Sequence, residues 1–225
     1  RLDKKAEVGA NIISTIDVNL QAYGEKLMKN KIGSIVAIEP NTGEILALVS
    51  APGYDPDLLV GRQRTKNYVS LMSDTLKPLF NRALMAQYPP GSTFKIVNAL
   101  IGLQEGVVKP YTKHECYGGF NYARGRTMGC HVHKSPTNLI ESIQVSCNTY
   151  YGNVYKDILT NSAYPGIREA FDSWISKVES FGLGDILNSD FPNELRGITP
   201  SKEYYDRIYG EGRWRWQQLI SMAIG

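Results

Sequence analysis

The sequence has little of what would mark a membrane or nucleic-acid protein. It contains no run of about 18 apolar residues, the length needed to cross a bilayer. Its net charge is only +3 and its Lys and Arg form no stripe, so no nucleic-acid partner is predicted. Three cysteines, an odd number, argue against a regular disulfide framework. What is left is an ordinary globular composition, in which 42% hydrophobic residues in 225 support a substantial core.

A β-hairpin is the clearest local prediction. Two apolar runs, GSIVAI and EILALVSA, flank Asn41-Thr42-Gly43, a turn signal. Both runs are nearly continuous in apolar residues, which predicts a sheet covered on both faces. A short β segment is also expected at residues 10–18, with Asp17 or Asn19 capping the helix that follows.

A helix over residues 92–104 is predicted to lie centrally, because apolar residues fall on nearly every side of it. Gly106 is expected to end this helix. The other expectations are a surface excursion at 51–90, an irregular subdomain at 107–137, helices at 138–159 and 166–182, a loop at 182–200 and a last apolar helix at 214–224.

The start of the 92–104 helix carries the first chemical motif, in the stretch YPPGSTFK. Ser92 and Lys95 are three residues apart and share a helix face. A serine becomes a nucleophile when a neighbouring base takes its proton, and a buried lysine with a lowered pKa can be that base. A capping serine with a solvated lysine would give the same pattern, and about one Ser-x-x-Lys is expected by chance. The apolar surroundings of Lys95 favour the catalytic interpretation, since a buried lysine without a partner is unfavourable.

A second motif follows in VSCNTYY, where Ser146-Cys147-Asn148 is the only Ser-x-Asn of the chain. A second hydroxyl can relay a proton to a leaving group, and an amide can hold a peptide carbonyl. A polar kink in a buried helix is the alternative interpretation, and chance again supplies about one such triplet.

Together the two motifs resemble the penicillin-binding proteins and serine β-lactamases. The fuller resemblance is to class B penicillin-binding proteins, the peptidoglycan D,D-transpeptidases, and especially to the elongation-type penicillin-binding protein 2. The stretches that carry it are TIDVNLQ, GSIVAIEPNTGEILALVSAPGYDPD, QYPPGSTFK, HVHKSPTNLIESIQVSCNTYY and QQLISMAIG, which together extend from one end of the chain to the other.

The resemblance implies roles for four residues. Ser92 would be the acylated nucleophile, with its backbone N–H as half of the oxyanion hole, and Lys95 its general base. Ser146 would relay a proton toward the leaving amine, and Asn148 would bind the substrate. The implied fold is a mixed α/β transpeptidase fold, an antiparallel sheet flanked by helices, in which the hairpin gives two strands.

All three cysteines and all three histidines lie between residues 114 and 147. Cys₃His is a common structural zinc set, although the spacing is not a C-x-x-C pattern. The resemblance implies a zinc ion beside the active site, because some elongation-type members have a ligand at the position of Cys147. The set would be Cys116, Cys130, His133 and Cys147, with His131 as an alternative to His133 and His114 as a loop histidine. The competing interpretations are a Cys116–Cys130 disulfide, favoured by an oxidising envelope, and three free thiols.

The third motif of the family, Lys-Thr-Gly or Lys-Ser-Gly, is absent from the sequence. The only Thr-Gly pair, Thr42-Gly43, precedes Ser92 and lies in the predicted hairpin, so it cannot be that motif. We therefore expect residues 1–225 to be a transpeptidase domain truncated before that strand, and residues 1–10 to be the remnant of a join to a pedestal domain. Activity is expected of the parent protein and is doubtful for the fragment alone.

The resemblance also implies substrates and a location. Stem peptides of peptidoglycan precursor strands would be cross-linked, β-lactams would acylate Ser92, and a SEDS-type glycosyltransferase would be the partner. The parent would sit on the extracytoplasmic, periplasmic side of the inner membrane, held by an N-terminal anchor, and no catalytic cofactor is expected. The alternatives are a β-lactamase or β-lactam sensor, and a catalytically incomplete scaffold module for wall synthesis.

Overall fold

The computed structural model describes residues 8–225, which fall into two compact units. The first unit runs to Ala86 and includes Asp190–Leu195, and the second comprises Gln87–Ser189 and Arg196–Gly225. The predicted remnant of a join, residues 1–10, falls mostly on residues 1–7, which lie outside the described residues. No helix in the described part of the chain has both the length and the apolar character to cross a membrane.

The first unit is built around a hairpin, as the sequence predicts. Strands β1 (Gly33–Ile38) and β2 (Ile45–Ala51) pair antiparallel, and Gly43 closes the turn with a φ of 79° that favours glycine. The elements of this unit are α1 (Val18–Leu27), β1 (Gly33–Ile38), β2 (Ile45–Ala51), α2 (Arg64–Ser73), α3 (Arg82–Met85) and 3₁₀ turns at Pro56–Leu59 and Gly61–Gln63. Helix α2 was not expected, because its polar sequence fits a surface excursion equally well.

The strand predicted at residues 10–18 is wrong, since residues 8–17 have no regular secondary structure. The Asp17 N–H donates to the Leu46 carbonyl over 2.9 Å, but this single backbone bond does not continue into a ladder. The Asp17 side chain instead accepts the Asn19 and Leu20 N–H groups and caps α1, as predicted.

The hairpin is covered mainly on one face, which corrects the prediction of two covered faces. Along β2, Ala47, Val49 and Ala51 are buried. On β1, Val36 and Ile38 remain 43% and 56% exposed. Alternate residues of a strand point to opposite faces, so the apolar run of β1 places part of its side chains on the uncovered face of the described chain.

The second unit contains most of the helices and a small hairpin. Its elements are a 3₁₀ turn (Gly91–Phe94), α4 (Lys95–Gln104), β3 (Gly119–Ala123), β4 (Arg126–Gly129), α5 (Leu139–Gln144), α6 (Asn148–Leu159), α7 (Ile167–Ser180), α8 (Lys202–Tyr209) and a 3₁₀ helix (Trp216–Ala223). Strands β3 and β4 pair antiparallel within the segment predicted to be irregular. The helix predicted at 138–159 is interrupted after Gln144, and the one at 214–224 is 3₁₀.

Helix α6 forms the centre of this unit. Tyr150, Tyr151 and Tyr155 are fully buried on it, and it packs against α4, α7 and β3. Close contact with α4 depends on Gly102, where a Cβ would lie 2.9 Å from a methyl group of Val154. A side chain at residue 102 would therefore push the two helices apart.

Helix α4 is buried on one face only, which corrects the prediction of burial on nearly every side. Its inner face carries Lys95, Asn98, Ala99, Ile101 and Gly102. The other face carries Ile96, Leu100 and Leu103, which are exposed in the described chain. Their spacing of four and three residues places them on one stripe, so the apolar composition alone does not distinguish the two faces.

The C-terminal end of α4 is held by a charged cluster. The Glu105 carboxylate accepts from Lys177 Nζ and Tyr164 Oη, each over 2.7 Å, and from Asn161 Nδ2 over 3.0 Å. Burial alone would raise the pKa of Glu105, but these hydrogen bonds and the Lys177 charge outweigh it, so the pKa lies below 4.5.

We expect Glu105→Gln to lower the free energy of unfolding by about 1–3 kcal/mol at neutral pH, because the Lys177 ammonium loses its partner. The folded pKa is depressed, so the carboxylate stabilises the protein above pH 4.5 and this contribution is lost as the pH falls through the folded pKa. Urea unfolding of the intact protein and of the variant measures it. If the two proteins differed in free energy of unfolding by the same amount at acidic and at neutral pH, the stabilising role of the Glu105 carboxylate would be contradicted.

Candidate active site

Ser92 lies exposed on a sharp corner of the chain. Pro89 and Pro90 precede Gly91, whose φ of 62° lies in the left-handed region. The 3₁₀ turn from Gly91 to Phe94 then runs directly into α4 at Lys95. The corner therefore presents the Ser92 hydroxyl at the N-terminal end of a helix, where the helix dipole favours negative charge.

Lys95 is buried directly behind this corner, with only 2% of the residue exposed. Its Nζ donates to the Ser146 carbonyl over 2.7 Å, to Ser146 Oγ over 2.8 Å and to Asn148 Oδ1 over 2.6 Å. An ammonium group has three N–H donors, and these three acceptors satisfy all of them. The unfavourable burial of the amine is thus offset by the motif that lies 51 residues downstream.

Ser146 occupies the break between α5 and α6. Its φ is 51°, a left-handed conformation that is uncommon for a residue with a side chain. Its N–H donates to Ile143 O over 3.1 Å, and the Cys147 N–H donates to Ser142 O over 2.9 Å. The turn aims both the carbonyl and the hydroxyl of Ser146 at Lys95, so the strained residue is the one that makes the contacts.

Ser92 and Lys95 are connected through Ser146. Ser146 Oγ lies 3.0 Å from Ser92 Oγ and 2.8 Å from Lys95 Nζ. The sequence places Ser92 and Lys95 side by side on one helix face, whereas the hydrogen bonds of the Lys95 amine go to Ser146 and Asn148. The arrangement is therefore a chain of three polar groups, in which either hydroxyl can rotate to pass a proton toward the amine.

Burial lowers the pKa of Lys95 below its usual value of 10.5. The Cys130 and Cys147 sulfurs oppose this shift by favouring the ammonium form. The ring of Tyr151, with its centroid 5.8 Å from Nζ, also favours the charged form. The net lowering increases the fraction of neutral amine, the form able to accept a proton.

Asn148 begins α6 and connects the site to the β3–β4 hairpin. Its Nδ2 donates to Gly129 O over 2.8 Å, while its Oδ1 accepts from Lys95. A side-chain amide has two N–H donors, so one remains for a further acceptor. The backbone N–H of Asn148 points at Cys130 Sγ over 3.3 Å, which links the site to the cysteine cluster.

The cysteine cluster brings together the four residues of the predicted zinc set. Cys116, Cys130, His133 and Cys147 each offer one ligand atom, and all four atoms lie within 4.8 Å of one another. The three cysteines are free thiols, so the structure contains no Cys116–Cys130 disulfide. His131 is exposed beside His133 at a ring distance of 5.4 Å and is not among the four.

Surrounding groups orient the ligand atoms of this cluster. His133 Nδ1 lies 2.8 Å from the Lys134 carbonyl, which leaves Nε2 facing Cys130 Sγ at 3.5 Å. Burial tends to raise the pKa of Cys116, but hydrogen bonds with Thr149 and the Gly118 backbone outweigh it and lower that pKa to about 7. Burial raises the pKa of Cys147 to about 12. A cation would therefore supply the charge that a Cys147 thiolate needs at this depth.

His114 lies apart from the four clustered residues, although the sequence places it close to Cys116. Its backbone pairs with Thr137, and its ring packs edge-on against Tyr150 with centroids 4.9 Å apart. The expectation of a loop histidine without a role in the cluster agrees with these contacts.

One buried polar residue near the site was not singled out from the sequence. Asn98 is fully buried one turn after Lys95 and accepts a hydrogen bond from Trp174 Nε1 over 2.8 Å. The sequence does contain a signal for Asn98, because it is a polar residue in an apolar helix and lies three positions after Lys95. Its partners, Trp174 and the 222–223 backbone, are too distant in sequence to infer from the pattern.

A curated relative matches nearly the whole chain. The peptidoglycan D,D-transpeptidase MrdA of Acinetobacter baumannii is 34% identical over 224 residues, which covers 96% of this chain and 31% of the relative. The chain thus spans about a third of the length of the curated relative it matches.

Solved structures share the fold. Pseudomonas aeruginosa PBP2 in complex with WCK 5153 has a TM-score of 0.79 and 31% identity, covering 94% of this chain and 46% of that one. The Helicobacter pylori complex of PBP2 with MreC has a TM-score of 0.80 and 25% identity, covering 93% and 37%. The ceftriaxone acyl-enzyme of penicillin-binding protein A from Mycobacterium tuberculosis has a TM-score of 0.75 and 26% identity, covering 94% and 46%.

The predicted mixed α/β transpeptidase fold is confirmed by these structures. The sequence family of the penicillin-binding protein transpeptidase domain matches residues 33–225, well over half of the chain. With MrdA among its relatives and PBP2 among the solved structures that share its fold, the chain belongs to the penicillin-binding protein transpeptidase family.

Proposed function

We propose that the intact protein containing this chain is a peptidoglycan D,D-transpeptidase with Ser92 as its nucleophile. The observation that carries the proposal is the chain of contacts from Ser92 Oγ through Ser146 Oγ to Lys95 Nζ, at 3.0 and 2.8 Å. An exposed hydroxyl, a second hydroxyl and a buried amine in contact are the groups needed to activate a serine for acyl transfer. The names of the relatives support the same reaction class.

In the proposed reaction, Ser92 Oγ attacks the carbonyl of a D-Ala-D-Ala peptide bond. Its proton passes to Ser146 Oγ, whose own proton moves to the neutral Lys95 amine. The same hydroxyl then gives a proton to the departing D-alanine nitrogen and regains one from the Lys95 ammonium, and Ser92 is left as an ester. An amine from a neighbouring stem peptide attacks this ester, forms the cross-link and restores the Ser92 hydroxyl. A β-lactam would open its ring on the same serine.

Binding of the substrate is assigned to Asn148 and to the backbone at Ser92. The second N–H of the Asn148 amide would donate to a carbonyl of the stem peptide, and the Ser92 N–H would stabilise the oxyanion. The sequence contains no Lys-Thr-Gly or Lys-Ser-Gly, so the second oxyanion donor and the carboxylate-binding groups are proposed to lie outside residues 1–225. We propose that residues 1–225 form the transpeptidase domain up to that strand, with a pedestal domain joined near residues 1–10.

The same family membership supports a proposal for the setting. We propose that the intact protein acts during cell elongation on the periplasmic face of the inner membrane, anchored by an N-terminal helix. A SEDS-type glycosyltransferase would supply the glycan strands. An MreC-like protein is a further candidate partner, by analogy with the Helicobacter pylori complex.

A structural zinc ion is proposed for Cys116, Cys130, His133 and Cys147. The fit rests on the Cys₃His donor set, a common structural zinc set, on ligand atoms within 4.8 Å of one another and on the contact of His133 Nδ1 with the Lys134 carbonyl. When bound, zinc would supply structural rigidity and no chemistry at the substrate. Cys147 immediately follows Ser146, so fixing its sulfur would fix the turn that aims Ser146 at Lys95.

The first test is acylation of the intact protein by penicillin. We expect one covalent adduct per chain, because Ser92 is the exposed hydroxyl connected to the buried amine, and no adduct on Ser92→Ala. Intact-protein mass spectrometry measures both. Ser162→Ala removes another exposed serine of the same unit and should form the adduct normally. An adduct that persists in folded Ser92→Ala would refute the assignment of Ser92 as the nucleophile.

The same experiment separates the alternative functions. A wild-type adduct that hydrolyses rapidly would favour a β-lactamase, and a folded wild-type protein without any adduct would favour a scaffold module.

A second test concerns the route of the proton. We expect Ser146→Ala and Lys95→Met each to slow acylation by about 10²–10⁴-fold, the usual contribution of a positioned proton-transfer group. The double variant should be no slower than the worse single variant, since both changes interrupt one chain of contacts. Stopped-flow acylation kinetics measure the three rates. Ser146→Ala retaining the wild-type rate would mean that Lys95 takes the proton from Ser92 directly.

The zinc site predicts one zinc ion per chain in protein prepared without chelator. Cys130→Ser should lower the zinc content and the melting temperature, since it removes one ligand of four. His131→Ala is the matched control, because His131 is adjacent to the cluster and outside the set of four ligand atoms. Elemental analysis with differential scanning calorimetry measures both quantities. A metal-free wild-type protein, or equal loss in the two variants, would contradict the site.

A further inference from the structure

Asn98 ties three separate segments of the second unit together. Its Oδ1 accepts from Trp174 Nε1 over 2.8 Å. Its Nδ2 donates to the Met222 carbonyl over 2.9 Å and to the Ala223 carbonyl over 3.1 Å. The residue is fully buried, and this arrangement uses its acceptor and both of its donors. An apolar side chain of similar size would fill the space but leave the Trp174 N–H and two carbonyls unpaired.

The segment held by Asn98 reaches the corner before the nucleophile. Two residues after Ala223, the Gly225 carbonyl accepts the Gly91 N–H over 3.0 Å. The approach is close enough that a Cβ on Gly225 would lie 2.3 Å from Gly91 O and 2.8 Å from Gly91 N. The φ of Gly225 is 82°, which also favours glycine. Only glycine fits residue 225 without displacing the residue next to Ser92.

These contacts and the chain itself form a closed loop that runs from Asn98 through residues 222–225 to Gly91 and back to α4. Asn98 and Lys95 lie one turn apart on α4, so the helix that positions the buried amine also anchors the 222–223 backbone. That backbone leads to Gly225, which holds Gly91, and Gly91 is covalently joined to Ser92. The contacts therefore connect Ser92 to α4, and so to Lys95, from both sides of the corner.

We propose that Asn98 and Gly225 are positioning residues for Ser92, and that Trp174 orients the Asn98 amide. They act through the backbone at Gly91 and do not touch the reacting atoms. The proposal rests on the proposed function of Ser92 as the nucleophile. A misplacement of about 1 Å at a reacting group can slow a reaction about 10²-fold, so small shifts of the corner are measurable.

The first experiment compares Gly225→Ala with Gly212→Ala in the intact protein. Both glycines have positive φ, 82° and 67°, but a Cβ on Gly212 has nothing within 4 Å. We expect Gly225→Ala to lower the acylation rate constant at saturating penicillin about 10²-fold, with the apparent dissociation constant changed less than about threefold. Gly212→Ala should acylate at the wild-type rate, because it introduces the backbone strain without the contact.

The second experiment compares Asn98→Leu with Tyr164→Phe. Tyr164 donates to Glu105 at the far end of α4, so its loss destabilises the same helix away from the corner. We expect Asn98→Leu to slow acylation about tenfold and Tyr164→Phe to leave the rate unchanged at a similar loss of melting temperature. Trp174→Phe, which removes the orienting N–H together with part of a buried ring, should slow acylation in the same direction and by a smaller factor. If Asn98→Leu and Tyr164→Phe slowed acylation equally, Asn98 would contribute only to the stability of the fold and would not be a positioning residue.

Hydrogen exchange at the Gly91 amide separates the positioning proposal from the proposed function. This amide should be protected in the wild type and in Gly212→Ala, and should exchange faster in Gly225→Ala and Asn98→Leu. If the wild-type protein is not acylated but this exchange pattern holds, the proposed function is wrong, while the contacts from Asn98 and Gly225 to Gly91 are supported. If Gly225→Ala leaves both the acylation rate and the exchange of Gly91 unchanged, the positioning proposal is wrong.

Discussion

The burial of the Lys95 amine is the constraint on which the rest of the site depends. An amine at this depth is unfavourable unless every donor has an acceptor, and the acceptors come from residues more than 50 positions away. The α5–α6 turn must therefore lie against the N-terminal end of α4. Once it does, the Ser146 hydroxyl lies between Lys95 and Ser92, so the contacts that satisfy the lysine also connect it to Ser92.

The turn at Ser146 is itself under strain and is held from several directions. A positive φ on a residue with a side chain persists only where the surroundings determine it. On one side Lys95 binds the Ser146 carbonyl, and on the other Cys147 caps α6 by accepting the Tyr150 N–H over 3.3 Å. The cysteine cluster thus lies one residue from the catalytic candidate. The zinc ion that we propose for this cluster would hold the turn without taking part in a chemical step.

Much of this arrangement could be predicted from the sequence. The hairpin at β1 and β2, the cap at Asp17 and the helix after Ser92 depend on local patterns that the structure retains. The sequence also indicates the residues of Ser-x-x-Lys and Ser-x-Asn, and the structure brings them together, while their roles remain predictions. The membership of the cysteine cluster was named as well, although from family resemblance and not from spacing.

The parts that could not be predicted depend on tertiary contacts. The interruption at Ser146 has only the polar Ser-x-Asn triplet as a signal in the sequence, because Lys95, which contacts Ser146, lies on another helix. The strand expected at residues 10–18 has β-rich residues but no continuous partner backbone. The exposed stripe of Ile96, Leu100 and Leu103 has the same apolar character as the buried face of α4. The contacts of Asn98 and Gly225 join residues more than 120 positions apart, so a role for these two residues cannot be predicted from local sequence patterns.

The most direct measurement of the central claim is a crystal structure of the intact protein after reaction with penicillin. The account predicts an ester on Ser92 Oγ, with Ser146 Oγ within hydrogen-bonding distance of both the Lys95 amine and the opened β-lactam nitrogen. An ester on another residue would contradict it. So would a Ser146 side chain turned away from the adduct while Lys95 alone contacts Ser92.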